Sequence, residues 1–502
     1  MTSSKNRAIL LMAILLLGLF FRLYDLGRES LWLDEAFSIK FAELNLSQIF
    51  FLPETNPPLY YIILHWWIHL FGISEISVRF PSAIFGFLSL FMMYKIGSEL
   101  FDINVGKLSS LLMAFSLFHI QYSQEARTYS LSVLLTLLSM YFFIKLLKKV
   151  NHRFLIGYVL SSILLMYSHI YGLFIIIAQN IYFIVLSLLS KEAEKLNYKR
   201  WILIQSILIV LFAPWISIFI NQVHAVQKDF WIKAPHIHSI ISSFITYSSK
   251  SRLLLSLFLM LSLFSLISYE KLQGSMDRRY FFKSLESFHW KIHLLNTDKF
   301  HFLLLWLITP IILPFIISLF SQPIYMTRYT IVASSAFFLL IARGISNMHS
   351  KNVKSITISI IIILSLISIG GYYNKINKEQ WRDVANCIDT YAHNEDMVLF
   401  NAYYCMQVFN YYSRSGLLVK KGFPEKDRNV DEENISELLG TVEHYDRVWV
   451  ILAHSGDKKE LITKTLIKSY NLSYYKEYKD IKLYLFDRKY VKTAPIISEY
   501  QP

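Results

Sequence analysis

Long apolar runs, separated by short polar connections, follow one another over the first three quarters of the chain. Most have close to the roughly 20 residues that a helix needs to cross the hydrocarbon core of a bilayer. The candidate spans are 8–23, 57–72, 79–97, 107–122, 130–147, 154–171, 173–190, 201–220, 252–269, 302–322, 329–343 and 355–371, with a weaker candidate at 238–249. The pattern predicts a polytopic α-helical membrane protein.

The pattern changes after Gly370 and Gly371. Residues 381–384 open an apparent helix, 397–400 and 448–452 resemble short buried strands, 459–469 look helical and 481–486 alternate like a strand. We therefore predict a transmembrane domain over residues 1–371 and a small α/β domain over residues 372–502.

Composition and charge agree with a membrane protein. Hydrophobic residues make up 54% of the 502 residues and charged residues 17%, against roughly 45–50% and about 25% in soluble domains. Residues 1–371 carry 31 Lys and Arg against 17 Asp and Glu, and residues 372–502 carry 19 against 19, so the net charge of +14 lies in the hydrophobic part. This distribution is typical of the positive-inside rule and excludes a nucleic-acid binder. The two cysteines, Cys387 and Cys405, are too few for a disulfide framework or a cysteine zinc site.

Four basic loops orient the spans. They are 145–153, 191–200, 271–299 and 343–354, and the positive-inside rule places all of them in the cytoplasm. Starting from cytoplasmic Lys5 and Arg7, this requires that one early run does not cross. The run 57–72 is the weakest, because it has only 16 residues and contains two histidines and two tryptophans, so we expect an interfacial or re-entrant helix on the outer side.

This topology has about 11 crossings. It places residues 24–78, 122–129, 221–251, 323–328 and 372–502 outside, whereas the alternative has 12 crossings and a cytoplasmic tail. The basic residues before the first run also fit a signal peptide, but no small-residue cleavage site follows, which favours an uncleaved first span.

The first predicted outer loop is rich in acidic residues. Asp34 and Glu35 directly follow Leu31-Trp32-Leu33, so two carboxylates lie beside apolar side chains at the membrane boundary. Burial there raises the pKa of a carboxylate toward that of a general base unless a cation is near. We interpret this pair as functional, and Glu43 and Glu54 as solvated loop residues.

A second group of polar residues lies in segment 121–129, between two apolar runs. Charges at this depth are costly unless they pair or line a polar cavity, so Glu125 and Arg127 are candidate site residues. The alternative is a boundary salt bridge between these two side chains.

A third group lies at the ends of spans on the same predicted side: His169, Tyr171, Arg328 and Tyr329. The planar guanidinium of Arg328 matches phosphate oxygens, whereas a lone histidine is more often a structural hydrogen-bonding group.

One outward-facing cavity can gather all three groups, with carboxylates to deprotonate an acceptor and arginines to hold an anionic leaving group. Nucleotide sugars are not available on that side, whereas a sugar donor carried on a lipid phosphate is.

Four segments, in order, resemble the motifs of the family 39 type GT-C glycosyltransferases, which include protein O-mannosyltransferases and the lipid A aminoarabinose transferase. Residues 31–38 (LWLDEAFS) resemble the first-loop motif of this family, 56–61 (NPPLYY) its HPPLYY segment, 79–82 (RFPS) its RLPS, and 122–127 (YSQEAR) its YSQEAR. Arg328-Tyr329 and 380–382 (QWR) fit as well. The resemblance runs through most of residues 20–180.

The resemblance implies a GT-C fold and a polyprenyl-phosphate sugar donor, with inversion at the anomeric carbon. Asp34 matches the catalytic acid of the family, acting as base on the acceptor, and Glu35 its acidic neighbour. The expected substrate-binding residues are Arg79, Glu125, Arg127, His169, Tyr171, Arg328 and Tyr329. Asn56 departs from the family pattern, in which many members have His, and the sequence indicates no metal ligands, so a cofactor stays unknown.

We therefore expect a multi-pass plasma-membrane glycosyltransferase, whose active site and tail face away from the cytoplasm and whose acceptor is a glycan, lipid or protein. The alternative from another class is a transporter or flippase for a lipid-linked saccharide, and a structural subunit is a third. Transporters tend to carry internal repeats and charges within their spans. This sequence has neither, and its acids gather in one outer loop.

Overall fold

In the computed structural model of the protein, the described residues are 2–52, 56–189, 196–225, 232–269, 292–294, 297–425 and 427–489. They form two compact units. The first contains the chain up to Tyr24, then Asn45–Trp67 and Arg79–Tyr373, and the second contains Asp25–Leu44, Ile68–Val78 and the chain from Asn374 onward. Two parts of the first predicted outer loop, Asp25–Leu44 and Ile68–Val78, therefore belong to the same unit as the tail.

Helices dominate the chain as far as Tyr373. They are α1 (Thr2–Leu23), α2 (Leu33–Ala42), α3 (Leu46–Phe50), α4 (Leu59–Phe71), α5 (Glu75–Leu100), α6 (Ile103–Ala114), α7 (Leu117–Ser123), α8 (Tyr129–Lys148), α9 (His152–Ser168), α10 (Tyr171–Leu189), α11 (Tyr198–Ala225), α12 (Ile237–Tyr247), α13 (Arg252–Phe264), α14 (Thr297–Phe320), α15 (Ile331–Asn347) and α16 (Lys351–Tyr373). Two short antiparallel strands, β1 (Ile267–Tyr269) and β2 (Ile292–Leu294), pair with each other.

Every candidate span is helical over most of its length, which confirms the predicted helical class. Among the described residues, six helices are long and apolar enough to cross a membrane: α5, α8, α10, α11, α14 and α16. The bent pair α6 and α7 gives a seventh if it is one span, and five further apolar helices are shorter. The count of about 11 crossings thus stays a prediction.

Two candidate spans differ from the sequence prediction. The run 107–122 is not one straight helix, because α6 ends at Ala114 and α7 leaves it at an angle of 63°. The backbone N–H of Leu117 donates to Ser249 Oγ at 3.2 Å, a partner far along the chain. The run 252–269 ends as a helix at Phe264, since its last residues enter β1.

The run 57–72 forms the 13-residue α4. At a rise of about 1.5 Å per residue this helix is roughly 20 Å long, shorter than the roughly 30 Å hydrocarbon core. That length agrees with a helix that does not cross, although its place relative to the bilayer stays a prediction.

Three of the four basic loops meet at one end of the first unit. Glu99 forms ion pairs with Lys145 at 2.5 Å and Lys148 at 2.9 Å. Close by in the chain, the Phe101 ring contacts both Lys299, at 5.5 Å from the centroid, and Arg343, at 5.2 Å. Loops 145–153, 271–299 and 343–354 therefore lie on one side, as the topology requires. Most of the basic residues of 271–299, and Lys191 and Lys195, lie outside the described residues.

The second unit contains a five-stranded sheet with helices on both faces. Its strands are β3 (Met397–Asn401), β4 (Val419–Gly422), β5 (Arg447–Leu452), β6 (Tyr470–Tyr478) and β7 (Ile481–Arg488), in the order β4-β3-β5-β7-β6. Its other helices are α17 (Trp381–Tyr391), α18 (Met406–Tyr412), α19 (Leu438–Val442) and α20 (Leu461–Ser469), besides two short 3₁₀ turns at Tyr403–Cys405 and Asn434–Glu437. β4, β3 and β5 are parallel, and β7 and β6 are antiparallel to their neighbours.

Successive residues of the central strands point to opposite faces of the sheet and pack into two separate apolar cores. Val398 of β3 packs with Trp449 of β5 and with α2, α17 and α18 on one face. Met397 packs with Val448 and with α19 and α20 on the other. Because both faces are covered, these strands are continuously apolar in the sequence. This confirms the predicted small α/β domain, which also includes α2 from the first predicted outer loop.

Candidate active site

The predicted site residues are divided between the two units. Asp34 and Glu35 belong to the second, and the substrate-binding candidates belong to the first, namely Arg79, Glu125, Arg127, His169, Tyr171, Arg328 and Tyr329.

Asp34 and Glu35 occupy the first turn of α2, where negative charge interacts favourably with the helix dipole. The Trp32 N–H before the helix donates to Glu35 Oε2 at 3.4 Å. Leu33 and Ala36 point into the apolar core over the sheet, which fixes the rotation of the helix. Asp34 is left half-buried.

Glu35 is fully buried, and its carboxylate accepts a hydrogen bond from Lys378 Nζ at 3.0 Å. The Lys378 side chain is only 9% exposed. A buried carboxylate that is paired with a cation is held in its charged form. Glu35 is therefore suited to positioning α2 rather than to exchanging protons.

Glu379, the residue after Lys378, joins three parts of the second unit. Its backbone oxygen accepts from Ser30 Oγ at 2.5 Å, and one carboxylate oxygen accepts from the Trp381 indole N–H. The other carboxylate oxygen lies 2.7 Å from His454 Nε2. The hydrogen bond to Glu379 raises the pKa of His454; burial opposes this, and the negative charges of Glu379 and Asp34 add to it.

A second contact network holds the loop that leads to α2. Arg382 donates to the Glu75 carboxylate at 2.6 Å and to the backbone oxygens of Gly27 and Arg28, each at 3.1 Å. Tyr412 Oη lies 3.0 Å from Glu75 Oε1 and accepts the Leu31 N–H at 2.6 Å. Burial lowers the pKa of Arg382, but the hydrogen bond to Glu75 and its negative charge outweigh burial, so this pKa is raised.

In the first unit, three of the four sequence motifs meet. Tyr60, from segment 56–61, lies 3.0 Å from Ser82 Oγ, from segment 79–82. Ser82 Oγ in turn donates to the backbone oxygen of Arg127, from segment 122–127, at 3.2 Å. Arg79, on the helix that carries Ser82, is 1% exposed, and Glu125 is 4% exposed.

Four aromatic rings of the first unit lie next to one another: Tyr129, His169, Tyr171 and Tyr329. The Tyr329 ring centroid lies 4.8 Å from that of His169, 5.6 Å from Tyr171 and 6.1 Å from Tyr129. The guanidinium of Arg328 lies 5.6 Å from the Tyr329 ring and that of Arg127 lies 6.0 Å from the Tyr129 ring. The predicted residues 127, 169, 171, 328 and 329 thus form one cluster, which we call the arginine–histidine cluster.

Hydrogen bonding determines the tautomer of His169. Its Nδ1 accepts the Tyr171 N–H at 3.1 Å, so the ring proton of the neutral form is on Nε2. This Nε2 is buried and has no hydrogen-bond partner in the described part of the chain. Arg127 and Arg328 lie close enough for their charges to act on the ring. Two cations and an N–H donor at one point suit an anionic oxygen ligand.

The cluster lies at the opposite end of the first unit from the basic loops. Arg127 precedes the first turn of α8, and Lys145 and Lys148 are in its last turn. Twenty helical residues span about 30 Å. Arg328 and Arg343 likewise lie at opposite ends of α15.

Lys378, Glu379 and His454 were not among the residues predicted from the sequence. The first two directly precede segment 380–382, so their place beside a recognised motif was the available signal. His454 had no local signal, because it follows β5, 75 residues after its partner. Among the described residues, no group of three or more His, Cys, Asp or Glu side chains is arranged to hold a metal ion.

Comparison with known proteins bears on the fold. Residues 55–218 match the family described as dolichyl-phosphate-mannose-protein mannosyltransferase. No curated protein matches the chain. ArnT from Cupriavidus metallidurans in the apo state has a similar structure, with a TM-score of 0.61 and 9% identity over 96% of this chain and 98% of that chain.

Two further solved structures are similar. ArnT bound to undecaprenyl phosphate has a TM-score of 0.59 at 11% identity, over 95% of this chain and 97% of that chain. The oligosaccharyltransferase AglB from Archaeoglobus fulgidus, in complex with an inhibitory peptide and a dolichol-phosphate, has a TM-score of 0.54 at 11% identity, over 95% of this chain and 74% of that chain. The chain thus shares its fold with ArnT and AglB, which confirms the predicted fold class, and its residues 55–218 resemble the mannosyltransferase family.

Proposed function

We propose that the chain transfers a single sugar from a polyprenyl-phosphate donor to an acceptor on the outer side of the plasma membrane, with inversion at the anomeric carbon. The acceptor is a glycan, a lipid or a protein. The observation that carries this proposal is the arginine–histidine cluster, in which two arginines accompany a buried, unpartnered N–H donor.

The cluster is suited to the phosphate of the donor. Arg127 and Arg328 supply positive charge, and the His169 Nε2–H is aligned by the bond from Tyr171 to Nδ1. The aromatic rings hold the two guanidinium groups and the imidazole in place. An anion bound there satisfies the buried donor, and the same contacts stabilise the phosphate as it leaves with the electrons of the glycosidic bond.

Asp34 is the base in this proposal. The acceptor oxygen forms a bond to the anomeric carbon, the bond from that carbon to the phosphate oxygen breaks, and the acceptor proton moves to the Asp34 carboxylate. A single displacement of this kind inverts the anomeric centre. Glu35 is the positioning neighbour, because its carboxylate is committed to Lys378.

The test is turnover of polyprenyl-phosphate sugars by the purified chain in lipid, using a panel of hexose and pentose donors with candidate acceptors. The wild-type protein is expected to release polyprenyl phosphate with at least one donor. Asp34→Asn should abolish this release, and Glu43→Gln, at the exposed end of α2, is the matched control and should retain it. Vesicle uptake of an intact lipid-linked saccharide, without bond cleavage, would instead identify a transporter and contradict the proposal.

A further inference from the structure

Four cations from three helices lie at the end of the first unit that carries the basic loops. Lys145 and Lys148 are in the last turn of α8, Lys299 is near the start of α14 and Arg343 is near the end of α15. The Phe101 ring joins two of them, because Lys299 Nζ lies 5.5 Å and the Arg343 guanidinium 5.2 Å from its centroid. We call these four cations the basic-end cluster.

The carboxylates nearby do not balance this positive charge. Glu99 is occupied by both lysines of α8, at 2.5 Å and 2.9 Å. Asp102 caps the first turn of α6 through Oδ1, and its Oδ2 lies 3.8 Å from Arg343 Nη1. In the described part of the chain, Lys299 forms no ion pair, and neither does its exposed neighbour Asp298. The basic-end cluster therefore has an excess of positive charge.

An apolar groove begins at the same end of the unit. It has a volume of about 260 Å³ and is lined by apolar side chains of α6, α15 and α16. One lining residue, Ile345, is in the last turn of α15, just after Arg343. The groove follows α6 from Leu108 to Phe115, which is about 10 Å at the rise of a helix. A hydrocarbon chain in this groove therefore starts close to the basic-end cluster.

We propose that the basic-end cluster and this groove form a binding site for an anionic glycerophospholipid. Lys299 and Arg343 hold its phosphate, and one acyl chain follows the groove. The inference goes beyond the proposed function and does not depend on it, because the arginine–histidine cluster lies at the other ends of α8 and α15. The positive-inside rule predicts that the lipid comes from the cytoplasmic leaflet, whose surface is negatively charged.

The chemistry of the two cations selects a phosphate at the membrane surface. Lys299 supplies an ammonium group with three donors, and Arg343 a planar guanidinium that matches two phosphate oxygens. The Phe101 ring fixes both cations through its π face, and an anion bound to both offsets their mutual repulsion. Basic pockets between helices at this depth bind anionic head groups. A choline lipid carries its own cation and gains less from the site.

The first arm of the test measures lipid binding without using activity. Purified full-length protein in a neutral detergent is titrated by native mass spectrometry with dioleoyl phosphatidylglycerol, dioleoyl phosphatidylcholine or glycerol phosphate, which has no acyl chain. We expect phosphatidylglycerol to bind at least about tenfold more tightly than either of the others. Equal binding of phosphatidylcholine would show that charge does not select the ligand, and equal binding of glycerol phosphate would identify a site for free phosphate. Either result would overturn the inference.

The second arm removes one cation. Lys299→Gln breaks no ion pair of the described residues, and it should raise the dissociation constant for phosphatidylglycerol by about fivefold. Lys299→Arg keeps the charge and should bind like the wild type. The matched control is Lys351→Gln, which removes an exposed lysine at the start of α16 and should change the affinity little. Wild-type affinity in Lys299→Gln, or an equal loss in Lys351→Gln, would contradict a site built on Lys299.

The third arm fills the groove. Leu111→Trp places a large ring on the groove side of α6 and should weaken the binding of phosphatidylglycerol. Leu253→Trp, at a 71% exposed position on α13, is the control and should bind like the wild type. Equal affinities of Leu111→Trp and the wild type would show that no acyl chain uses the groove, which contradicts the proposed site.

Discussion

Asp34 and Glu35 are adjacent carboxylates with different surroundings. Asp34 is half-buried, whereas Glu35 is fully buried against Lys378. Asp34→Asn keeps the shape of the side chain and removes the basic oxygen, so turnover per folded molecule should fall by about 10²–10⁴-fold. Thermal stability should change little. The measurement is turnover normalised to the folded fraction, and a fully active Asp34→Asn protein would rule out Asp34 as the base.

Glu35→Gln should act mainly on stability. Removing one member of a buried ion pair leaves the other charge without compensation, which typically costs about 3–5 kcal/mol. The double variant Glu35→Gln with Lys378→Met removes both charges and should recover most of that loss in thermal unfolding. If the single and double variants are equally destabilised, the Glu35–Lys378 pair is not the cause.

Arg328→Lys tests the arginine–histidine cluster. Lysine keeps the charge but loses the planar fork and the stacking on Tyr329, so donor KM should rise by roughly tenfold or more. Arg343→Lys is the matched control, because Arg343 lies at the other end of α15, against Phe101. Unchanged donor affinity in both Arg328→Lys and Arg328→Ala would remove Arg328 from the donor site.

Residue types and local motifs were sufficient to select the members of the arginine–histidine cluster, because each lies near the end of an apolar run. The partners of Asp34 and Glu35 were not accessible in the same way. Lys378 is 343 residues from Glu35, and pairing over such a separation is set by the tertiary fold. His454 is similarly remote from both Glu379 and Asp34.

At the scale of elements, Gln124 holds the end of α1. The last carbonyl groups of a helix have no partner within the helix. Gln124 Nε2 donates to the backbone oxygens of Tyr24 at 2.8 Å, Phe21 at 3.3 Å and Arg22 at 3.4 Å. Tyr373 Oη, at the end of α16, also donates to the Phe21 oxygen. A residue of the YSQEAR segment thus has a structural role.

Gln124→Ala should therefore lower the stability of the protein. Leaving buried carbonyls without a donor costs about 1–3 kcal/mol, which thermal unfolding in detergent can detect. Gln121→Ala, in the short helix α7 that ends just before Gln124, is the control and should have a smaller effect. Equal losses for the two variants would contradict a specific capping role for Gln124.

Hydrophobic periodicity predicted the existence of the helices but not their breaks. The bend between α6 and α7 occurs at Phe115 and Ser116, with neither Gly nor Pro to signal it. Conversely, Pro81 lies inside α5, whose helix begins at Glu75 rather than at the predicted residue 79. Packing and distant hydrogen bonds override local preference at such points. The strands β3 and β5 were predictable because their apolar runs are dense, and β7 because its residues alternate, whereas the largely exposed β6 was not.

At the scale of the whole molecule, composition separated the apolar part of the chain from the tail. It did not reveal that Asp25–Leu44 belongs to the same compact unit as the tail. The reason is visible in α2, where Leu33 and Ala36 are among the residues of the sheet core. The apolar residues of a single ten-residue helix do not by themselves indicate which core they enter. The loop that carries the proposed base is thus built on the α/β domain.

The orientation of the tail is a prediction for the whole molecule. Loops 145–153, 271–299 and 343–354 meet at one end of the first unit, so the positive-inside rule places that end in the cytoplasm. The helix that follows the last of these loops, α16, has 23 residues and is apolar enough to cross. The tail should then lie outside, on the side to which the donor is proposed to be presented.

A reporter that is active only in the cytoplasm should be silent when fused after Pro502 and active when inserted after His349. Activity at both positions would show that α16 does not cross, and would place Asp34 and the α/β domain on the cytoplasmic side.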